Sequence, residues 1–379
     1  MPIRMPWSRR HVSRRRRSAR DIVCPYCFRT FPYWALRFRY EPTPSSLEPE
    51  RVYPLPGALR ARLNPFYKMP RDMPVGPHGR RFDQKVCPFC GRLTSLPLPY
   101  TAGVERSLIL GLVGWPGAGV NTYRVSLIRR LGEPGSGFYA RPMDDNTLSG
   151  YRLLEERLFS HRIQLVVSAL IDDPWTYSVS PVGRNGESCT LVLWHTGNEN
   201  FYPDRMEHLG IGSRLSKMDG LIFMVDPLQL PLLAPRLGGK PRLPASDFFG
   251  NVIKSLQEGL GSPVKEIPIP VAIVLTKADM LRDAGLIDVD SLWQLPVFHK
   301  GSYNLRLQKD IDAVFGDLVD RNGGALYKMI VASFQDYAFF GVSATGCAAV
   351  NGQYTWVEPI RVEDPLLWVL YRLGIIEGH

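Results

Sequence analysis

A glycine-rich segment, GWPGAG at 114–119, follows the apolar run Ser107–Val113 and precedes an amphipathic stretch that begins near Thr122. A strand that ends in such a segment and continues into a helix makes the backbone curl tightly, so that its amide groups converge on one spot. No other feature constrains the fold as strongly. It predicts an α/β architecture built from strand–loop–helix units.

Short apolar runs alternate with longer amphipathic stretches from Ser107 onward, which is typical of a mostly parallel sheet flanked by helices. Strands are predicted at Ser107–Val113, Gln164–Ile171, Thr190–Trp194, Gly220–Val225, Val271–Leu275 and Ala338–Val342. Helices are predicted at Thr122–Leu131, Thr147–Phe159, Ser246–Gly259, Leu305–Phe315 and Pro365–Leu373. The segment Pro227–Pro244 is too rich in proline and glycine for either and is predicted to be a loop.

The glycine segment matches the phosphate-loop pattern G-x-x-x-x-G-K-[ST] only in part. The glycines of the pattern and of the turn between them are present as Gly114, Gly117 and Gly119. Val120 stands where the pattern has lysine, and Asn121 stands where it has the hydroxyl residue, with Thr122 one position later. The sequence therefore predicts an anion-binding backbone without its usual cation.

Three further motifs follow predicted strands in a fixed order. The segment LVLWHTGNE at 191–199 has His195 and Asn198 where the pattern D-x-x-G-E has aspartate and glycine. Thr276, Lys277 and Asp279 form the pattern [NT]-K-x-D, and Ser343 with Ala344 forms a late S-A pair. Several motifs in order, each at a strand end, are far more specific than one motif alone.

Four of the six cysteines form two matched pairs, Cys24-Pro-Tyr-Cys27 and Cys87-Pro-Phe-Cys90. Two such turns facing each other make a closed tetrahedral zinc site, with backbone amides free to donate to the sulfurs. The 59 residues from 28 to 86 exceed the usual spacing of a zinc ribbon, but the entropy of loop closure grows slowly with length. The alternatives are a redox dithiol, which normally comes as a single pair, and unrelated surface cysteines.

We therefore predict a structural zinc ion in a small, ribbon-like module over residues 21–100, with a proline-rich irregular insertion. Residues 1–20 are predicted to be a disordered arm, and residues 101–379 are predicted to form the α/β domain. The remaining cysteines, Cys189 and Cys347, are expected to be small buried apolar residues rather than ligands.

In this motif order, residues 20–379 resemble the translation-factor-related GTPases, specifically the bacterial double-GTPase type found in multi-gene conflict and signalling systems. In that type a cysteine-knuckle module often precedes the GTPase domain, and the segment 362–370 resembles its terminal helix. The resemblance implies a P-loop GTPase-like domain that binds GTP or GDP. Asp279 would accept from the guanine base, Lys277 would pack along its ring, and Ser343 would contact its oxygen.

The departures from the family pattern all affect the phosphate chemistry. Val120 removes the cation that neutralises the phosphates, while Asn121 and His195 remove the usual magnesium ligands, which argues against a bound magnesium ion. Phosphoryl transfer depends on positioning and charge stabilisation, so these losses affect catalysis directly. The sequence thus predicts a pseudo-GTPase that serves as a regulatory or structural partner of another GTPase or effector.

Two alternatives stay open: an active GTPase with unusual phosphate-site residues, and a nucleic-acid-binding zinc protein. Arg124, one turn into the helix after the loop, could reach back to replace the lysine, although such a residue more often faces solvent. Thr176 could occupy the first switch position, where a threonine senses the γ-phosphate. His195 could act as a base, although a lone histidine beside a core strand is more often simply hydrogen-bonded.

The formal net charge of +10 lies almost entirely in one tail. Residues 1–20 contain eight arginines and no acidic residue, which leaves +2 for residues 21–379. Such a block either contacts a polyanion such as nucleic acid or is a solvated arm. No apolar run is long enough for a membrane span, and no apolar core follows the arginines as in a secretory signal, so a cytoplasmic protein is expected.

Overall fold

The computed structural model covers most of the α/β region and parts of the N-terminal region. The residues that it describes are 21–39, 52–54, 58–64, 84–91, 93–94, 106–165, 174–182, 188–195, 198–239, 242–261, 266–288, 293, 295–299 and 301–379. The predicted arm at residues 1–20 and most of the proline-rich insertion lie outside the described residues.

A seven-stranded sheet forms the centre of the molecule. Its strands are β7 (Arg106–Gly114), β8 (Phe138–Pro142), β9 (Trp175–Pro181), β10 (Cys189–Trp194), β11 (Gly220–Val225), β12 (Val271–Leu275) and β15 (Tyr337–Gly341). Their order is β15-β12-β11-β7-β10-β9-β8, and only β9 runs in the opposite direction, antiparallel to both of its neighbours, β10 and β8. Strands β10, β11 and β12 are buried along their whole length, because helices cover both faces of the sheet.

The helices that flank this sheet follow the strands in the chain. Their bounds are α2 (Val120–Gly132), α3 (Asp145–Glu155, continued by a π-helical turn over Glu156–Ser160), α4 (Pro203–His208), α5 (Ile211–Leu215), α6 (Ala245–Gly259), α7 (Ala278–Asp283), α8 (Leu305–Asn322), α9 (Leu326–Ser333) and α10 (Asp364–Arg372). The amphipathic faces of these helices bury apolar side chains against the sheet. The fold is therefore α/β, with a mostly parallel sheet flanked by helices, as predicted.

Shorter elements make up the N-terminal region. Strands β1 (Asp21–Val23) and β2 (Thr30–Pro32) form a hairpin, and β3 (Arg37–Arg39), β4 (Val52–Pro54), β5 (Gln84–Val86) and β6 (Leu93–Thr94) form an antiparallel sheet in the order β4-β3-β5-β6, with the short helix α1 (Ala58–Leu63). A third small sheet joins β13 (Phe298–His299), β14 (Ser302–Tyr303) and β16 (Glu377–Gly378) near the C-terminus. Within the described part of the chain, no helix combines the length and apolar character needed to cross a membrane.

Three predicted segments differ in part from the structure. Residues 166–171 of the predicted strand Gln164–Ile171 lie outside the described residues, and residues 164–165 are not in a strand. The strand β9, which pairs antiparallel with β10, was not predicted. The helix predicted at Leu305–Phe315 continues to Asn322. It passes through Gly316, where a Cβ would lie 3.3 Å from a ring carbon of Phe339, so the glycine allows that ring to pack closely on the helix. The predicted loop Pro227–Pro244 contains two 3-10 turns, Pro227–Gln229 and Ala234–Leu237.

Candidate functional site

The strand order reverses at β7, which has β10 on one side and β11 on the other. In open α/β sheets, ligands bind in the crevice outside the carboxyl ends of the strands at such a reversal. The glycine loop continues from the carboxyl end of β7, and the loops after β10, β11, β12 and β15 lie at the same edge because these strands are parallel to β7 or to one another. The topology therefore brings the sequence motifs to one crevice.

The backbone of the glycine loop has the shape of an anion-binding turn. Gly117 and Gly119 have φ angles of +88° and +83°, which residues with a side chain rarely adopt. A Cβ on Gly114 would lie 2.9 Å from a methyl carbon of Val120, so the return of the loop onto β7 requires glycine there. Gly119 caps α2, whose first amide groups are then available to an anion.

The first turn of α2 lacks the lysine of a phosphate loop and has an amide in place of the hydroxyl that follows it. Val120 is buried, with its side chain against Gly114, so it presents no charge. The Oδ1 atom of Asn121 is buried without a hydrogen-bond partner among the described residues, and Thr122 is also buried. Magnesium at a phosphate site is usually bound by one or two carboxylates together with phosphate oxygens and water. The first turn of α2 contains no acidic residue that could serve as such a ligand.

His195 follows β10 directly and is buried. Its Nδ1 donates to the carbonyl oxygen of Leu112 at 3.0 Å, which leaves Nε2 unprotonated in the neutral ring. Burial, and to a lesser extent the nearby positive charge of Arg124, together lower the pKa of His195 to about 4. At neutral pH this position therefore carries no charge, where the family pattern has a carboxylate. The expectation of a simply hydrogen-bonded histidine is confirmed.

Arg124 neither reaches back to the glycine loop nor faces solvent, so both expectations for this residue are wrong. Its side chain is fully buried, and its guanidinium carbon lies 3.6 Å from the ring centroid of Trp175 on β9. Its guanidinium nitrogens have no hydrogen-bond partner among the described residues. Burial lowers the pKa of Arg124 to about 9, so the side chain is still charged at neutral pH. The attraction to the aromatic face offsets part of the cost of burying that charge.

The two predicted base-reading motifs lie next to each other. The amide of Ala278 donates to the carbonyl oxygen of Val342, which joins the loop after β12 to the loop after β15. Asp279 is only 2% exposed. Burial raises its pKa, and a hydrogen bond with Ser343 lowers it in part. The hydroxyl of Ser126 on α2 also donates to the carbonyl oxygen of Ala344 at 2.7 Å, so the helix after the glycine loop is fixed to the same region.

Lys277 makes a contact that the sequence analysis missed. Its Nζ lies 2.7 Å from Oδ2 of Asp226, the residue directly after β11, and a guanidinium nitrogen of Arg242 lies 2.8 Å from the same oxygen. Thr276 donates its hydroxyl to the carbonyl oxygen of Val225 and thereby holds its loop beside β11. Asp226 could have been found from the sequence, because it is an acidic residue directly after a predicted strand on this edge of the sheet. Arg242 lies in the predicted loop Pro227–Pro244, and no sequence pattern identifies it as a site residue.

The four paired cysteines lie together. Their Sγ atoms are all within 4.8 Å of one another, and the Sγ–Sγ distances from Cys24 to Cys90 and from Cys27 to Cys87 are both 3.8 Å. Such a cluster could hold a metal ion, whereas the sulfurs of a disulfide are about 2.05 Å apart. Burial raises the pKa of the Cys24 and Cys87 thiols, so a cation would be needed to hold them as thiolates at neutral pH.

The two cysteine turns have matching backbones. The amide of Phe28 donates to the carbonyl oxygen of Cys24, and the amide of Gly91 donates to that of Cys87. Phe28 and Gly91 also have positive φ angles, of 56° and 69°. The amide of Phe89 donates to the sulfur of Cys87 at 3.4 Å, which is the amide-to-sulfur contact that the sequence predicts. The ring of Phe28 packs edge-on against Trp194, next to His195, so the cysteine cluster contacts the α/β domain near the crevice.

No family model matches the chain, and no curated protein matches it. Among solved structures, the chain is similar to a GTP-binding protein from the hyperthermophilic archaeon Sulfolobus solfataricus in complex with GDP, at 14% sequence identity and a TM-score of 0.30. The structural neighbour is a GTP-binding protein. The match covers 70% of this chain and 52% of that one, so this chain spans about half the length of its neighbour.

Three further expectations have a structural outcome. Thr176 is buried inside the strand β9 rather than placed in a loop, and its amide donates to the hydroxyl of Thr147. Cys189 is buried as expected. Cys347 is partly exposed, so the expectation that it is buried is wrong, and its thiol donates to the carbonyl oxygen of Trp356. The side chain of Asn198 lies outside the described residues.

Proposed function

We propose that this protein is a pseudo-GTPase, a GTPase-like domain that keeps elements of guanine recognition but lacks the groups for hydrolysis. One observation carries the proposal. The buried Val120 stands in place of the phosphate-loop lysine, and the neutral His195 stands in place of the aspartate of the D-x-x-G-E pattern, a usual magnesium ligand. Phosphoryl transfer needs charge around the transferred group, and neither residue provides it.

The protein would then act through binding. We propose that it serves as a regulatory or structural partner of a second GTPase or an effector in a bacterial multi-protein system for conflict, defence or signalling. The resemblance of its motif order to the double-GTPase type supports this setting. The buried contact between Phe28 and Trp194 joins the cysteine cluster to the end of β10, so a partner that binds the cluster would be linked to the crevice.

Thermal denaturation with GDP, GTP and ATP, each with and without magnesium, tests the nucleotide part of the proposal. We expect GDP and GTP to raise the melting temperature of the wild type and ATP to leave it unchanged, because Asp279 selects guanine. Asp279→Asn should abolish the shift. Asp283→Asn, an exposed residue on the same helix α7, should retain it and serves as the matched control.

A hydrolysis assay on the same samples tests the catalytic part. We expect phosphate release from GTP to stay at the level of buffer alone. Magnesium-dependent release by the wild type that is lost in Asp279→Asn would contradict the pseudo-GTPase proposal and support the alternative of an active GTPase with unusual residues.

We further propose that the cysteine cluster holds one structural zinc ion and that residues 21–100 form its module beside a GTPase-like domain at 101–379. A zinc–sulfur bond is about 2.3 Å long, so the sulfurs of a regular tetrahedral site are about 3.8 Å apart. The two 3.8 Å distances in the cluster match that value. Two cysteines are buried while Cys90 is exposed, so the site lies at the surface of the module.

The arginine-rich arm supports a second candidate function, polyanion binding. Eight arginines in twenty residues without an acidic residue motivate it. We expect the full chain to bind DNA or RNA without sequence preference and the affinity to fall steeply from low to high salt, because binding releases counterions. Deletion of residues 1–20 should remove this binding. Salt-independent binding, or binding that survives the deletion, would show that the arm is a solvated tail.

A further inference from the structure

An ion cluster of Asp226, Lys277 and Arg242 lies beside the glycine loop. Lys277 and Arg242 both contact the same carboxylate oxygen, Oδ2, at 2.7 and 2.8 Å. The carboxylate is almost fully buried, with 1% of its side chain exposed, whereas the two cations are about one-third exposed, at 33% and 36%. The cations therefore form the outer surface of the cluster and the carboxylate its inner support.

The loop after β11 fixes this arrangement. Oδ1 of Asp226 accepts from the amide of Leu228 and caps the 3-10 turn Pro227–Gln229, while the side chain of Gln229 accepts from the amide of Asp226. The amide of Arg242 donates to the carbonyl oxygen of Leu228 at 3.0 Å, so the far end of the loop is tied back to this turn. Asp226 can then use its other oxygen, Oδ2, for the two cations.

The guanidinium of Arg242 lies directly against the glycine loop. A Cβ on Gly117 would lie 2.3 Å from a guanidinium nitrogen, closer than any side chain permits. Gly117 is thus required both by its positive φ and by the arginine. Among the described residues, the guanidinium of Arg242 makes one hydrogen bond, to Asp226, which leaves its other donors for a further acceptor.

The charges of the cluster do not balance. One carboxylate offsets one of the two cations, so a net charge of about +1 faces the curl of backbone amides between Gly114 and Gly119. That is the charge that the loop loses when valine replaces lysine at position 120. A guanidinium is always protonated at neutral pH and makes strong, charge-assisted hydrogen bonds to phosphate oxygens.

We propose that Arg242 is the phosphate-binding cation of this loop, supplied from the segment after β11 in place of the missing lysine. The ligand chemistry is a diphosphate, either the diphosphate group of a nucleotide or free pyrophosphate. The nucleotide form of the proposal rests on the proposed retention of guanine recognition. The pyrophosphate form does not.

Titration calorimetry of the full chain with GDP, guanosine and pyrophosphate tests the proposal. We expect Arg242→Met to weaken binding of GDP and pyrophosphate by about tenfold or more, since a charge-assisted contact is lost, and to leave guanosine binding unchanged. Arg242→Lys should keep most of the affinity because it keeps the charge. Arg236→Met, at an exposed arginine of the same loop, should behave like the wild type and is the matched control.

Three results would overturn the proposal. Equal diphosphate affinity in Arg242→Met and the wild type would show that the arginine does not contact the ligand. Tighter binding in Arg242→Met would show that the arginine blocks the loop. If the wild type binds neither GDP nor pyrophosphate, the loop does not bind a diphosphate. GTP hydrolysis by the wild type would instead contradict the pseudo-GTPase proposal and leave the role of Arg242 intact.

Discussion

Replacing Cys24 and Cys87 together with serine is expected to remove about one equivalent of zinc per chain and to unfold the cysteine module. The reason is that four thiolates make one closed site, and the free energy of binding a structural zinc is about 10–16 kcal/mol in small zinc-dependent domains. The described elements around the cluster are short strands of two or three residues. The module therefore has little regular structure to hold it together without the metal.

Elemental analysis of the purified variants measures the metal, and limited proteolysis measures the folding of residues 21–94. Cys347→Ser is the matched control, because Cys347 lies outside the cluster and serine keeps the donor that contacts Trp356. The control should retain both the zinc and the resistance to protease. If the double variant keeps its metal content and its protease resistance, the cluster is not a zinc site.

Unfolding of the cysteine module should also lower the stability of the α/β domain. Phe28 belongs to the same buried cluster as the main core and packs against Trp194 at the end of β10. Loss of the module would expose both aromatic rings. The α/β domain of the double cysteine variant is therefore expected to have a lower melting temperature than in the wild type. If the two domains were independent, its melting temperature would not change.

The strands of the parallel sheet could be predicted from the sequence because they are buried on both faces. Gly220–Val225 and Val271–Leu275 are continuous apolar runs, the first bounded by Asp219 and Asp226 and the second by Pro270 and Thr276, and their observed bounds equal the predicted ones. An apolar run of five or six residues is too short for a typical helix and therefore indicates a buried strand. The motifs that follow them could be placed at one edge for the same reason, since parallel strands end on the same side.

The antiparallel edge of the sheet was harder to predict. Trp175–Pro181 alternates large and small or polar residues, which is the two-residue period of a strand, but the proline before it and the acidic pair before that proline suggest a loop. Phe138–Pro142 is short and follows three glycines closely spaced with a proline. In both cases pairing with a neighbouring strand outweighs the local preference, and pairing is not visible in one sequence.

The charges of the candidate site were the least predictable part. The sequence shows that Val120 lacks a charge, but not which distant residue lies beside the loop. Arg124 is four positions from Val120 and yet is directed at Trp175, whereas Arg242 is far away in the chain and lies against Gly117. The loop from Asp226 to Arg242 is held by backbone hydrogen bonds and a capped turn, so its path depends on tertiary contacts rather than on periodicity.

The wild type is expected to lose stability between pH 6.5 and pH 4 because of His195, relative to His195→Gln. The pKa of His195 is about 4 in the folded state and 6.5 without burial, and burial is the main cause. Between these values the unfolded chain binds a proton that the folded chain does not, so acid favours unfolding. The stabilisation is fully present above pH 6.5 and is lost as the pH falls toward 4.

The decrease in the pKa from 6.5 to about 4 corresponds to about 3 kcal/mol of unfolding free energy at pH 4, and to about 2 kcal/mol at pH 5. Urea titrations of the wild type and His195→Gln at several pH values from 7.5 to 4 measure it. Glutamine can still donate to the carbonyl oxygen of Leu112 but does not titrate, so the difference between the two profiles isolates the histidine.

Other buried groups titrate in the same range, and their contributions have the opposite sign. Burial raises the pKa of Asp312 to about 6 and that of Asp364 to about 7, so the folded state takes up these protons first and gains stability as the pH falls. Both residues are present in both proteins, and their effects cancel in the difference. Parallel pH profiles for the wild type and His195→Gln would mean that His195 is accessible to protons in the folded protein. His195 would then carry a positive charge at mildly acidic pH. It would be a neutral replacement for the aspartate of the D-x-x-G-E pattern only at neutral pH and above.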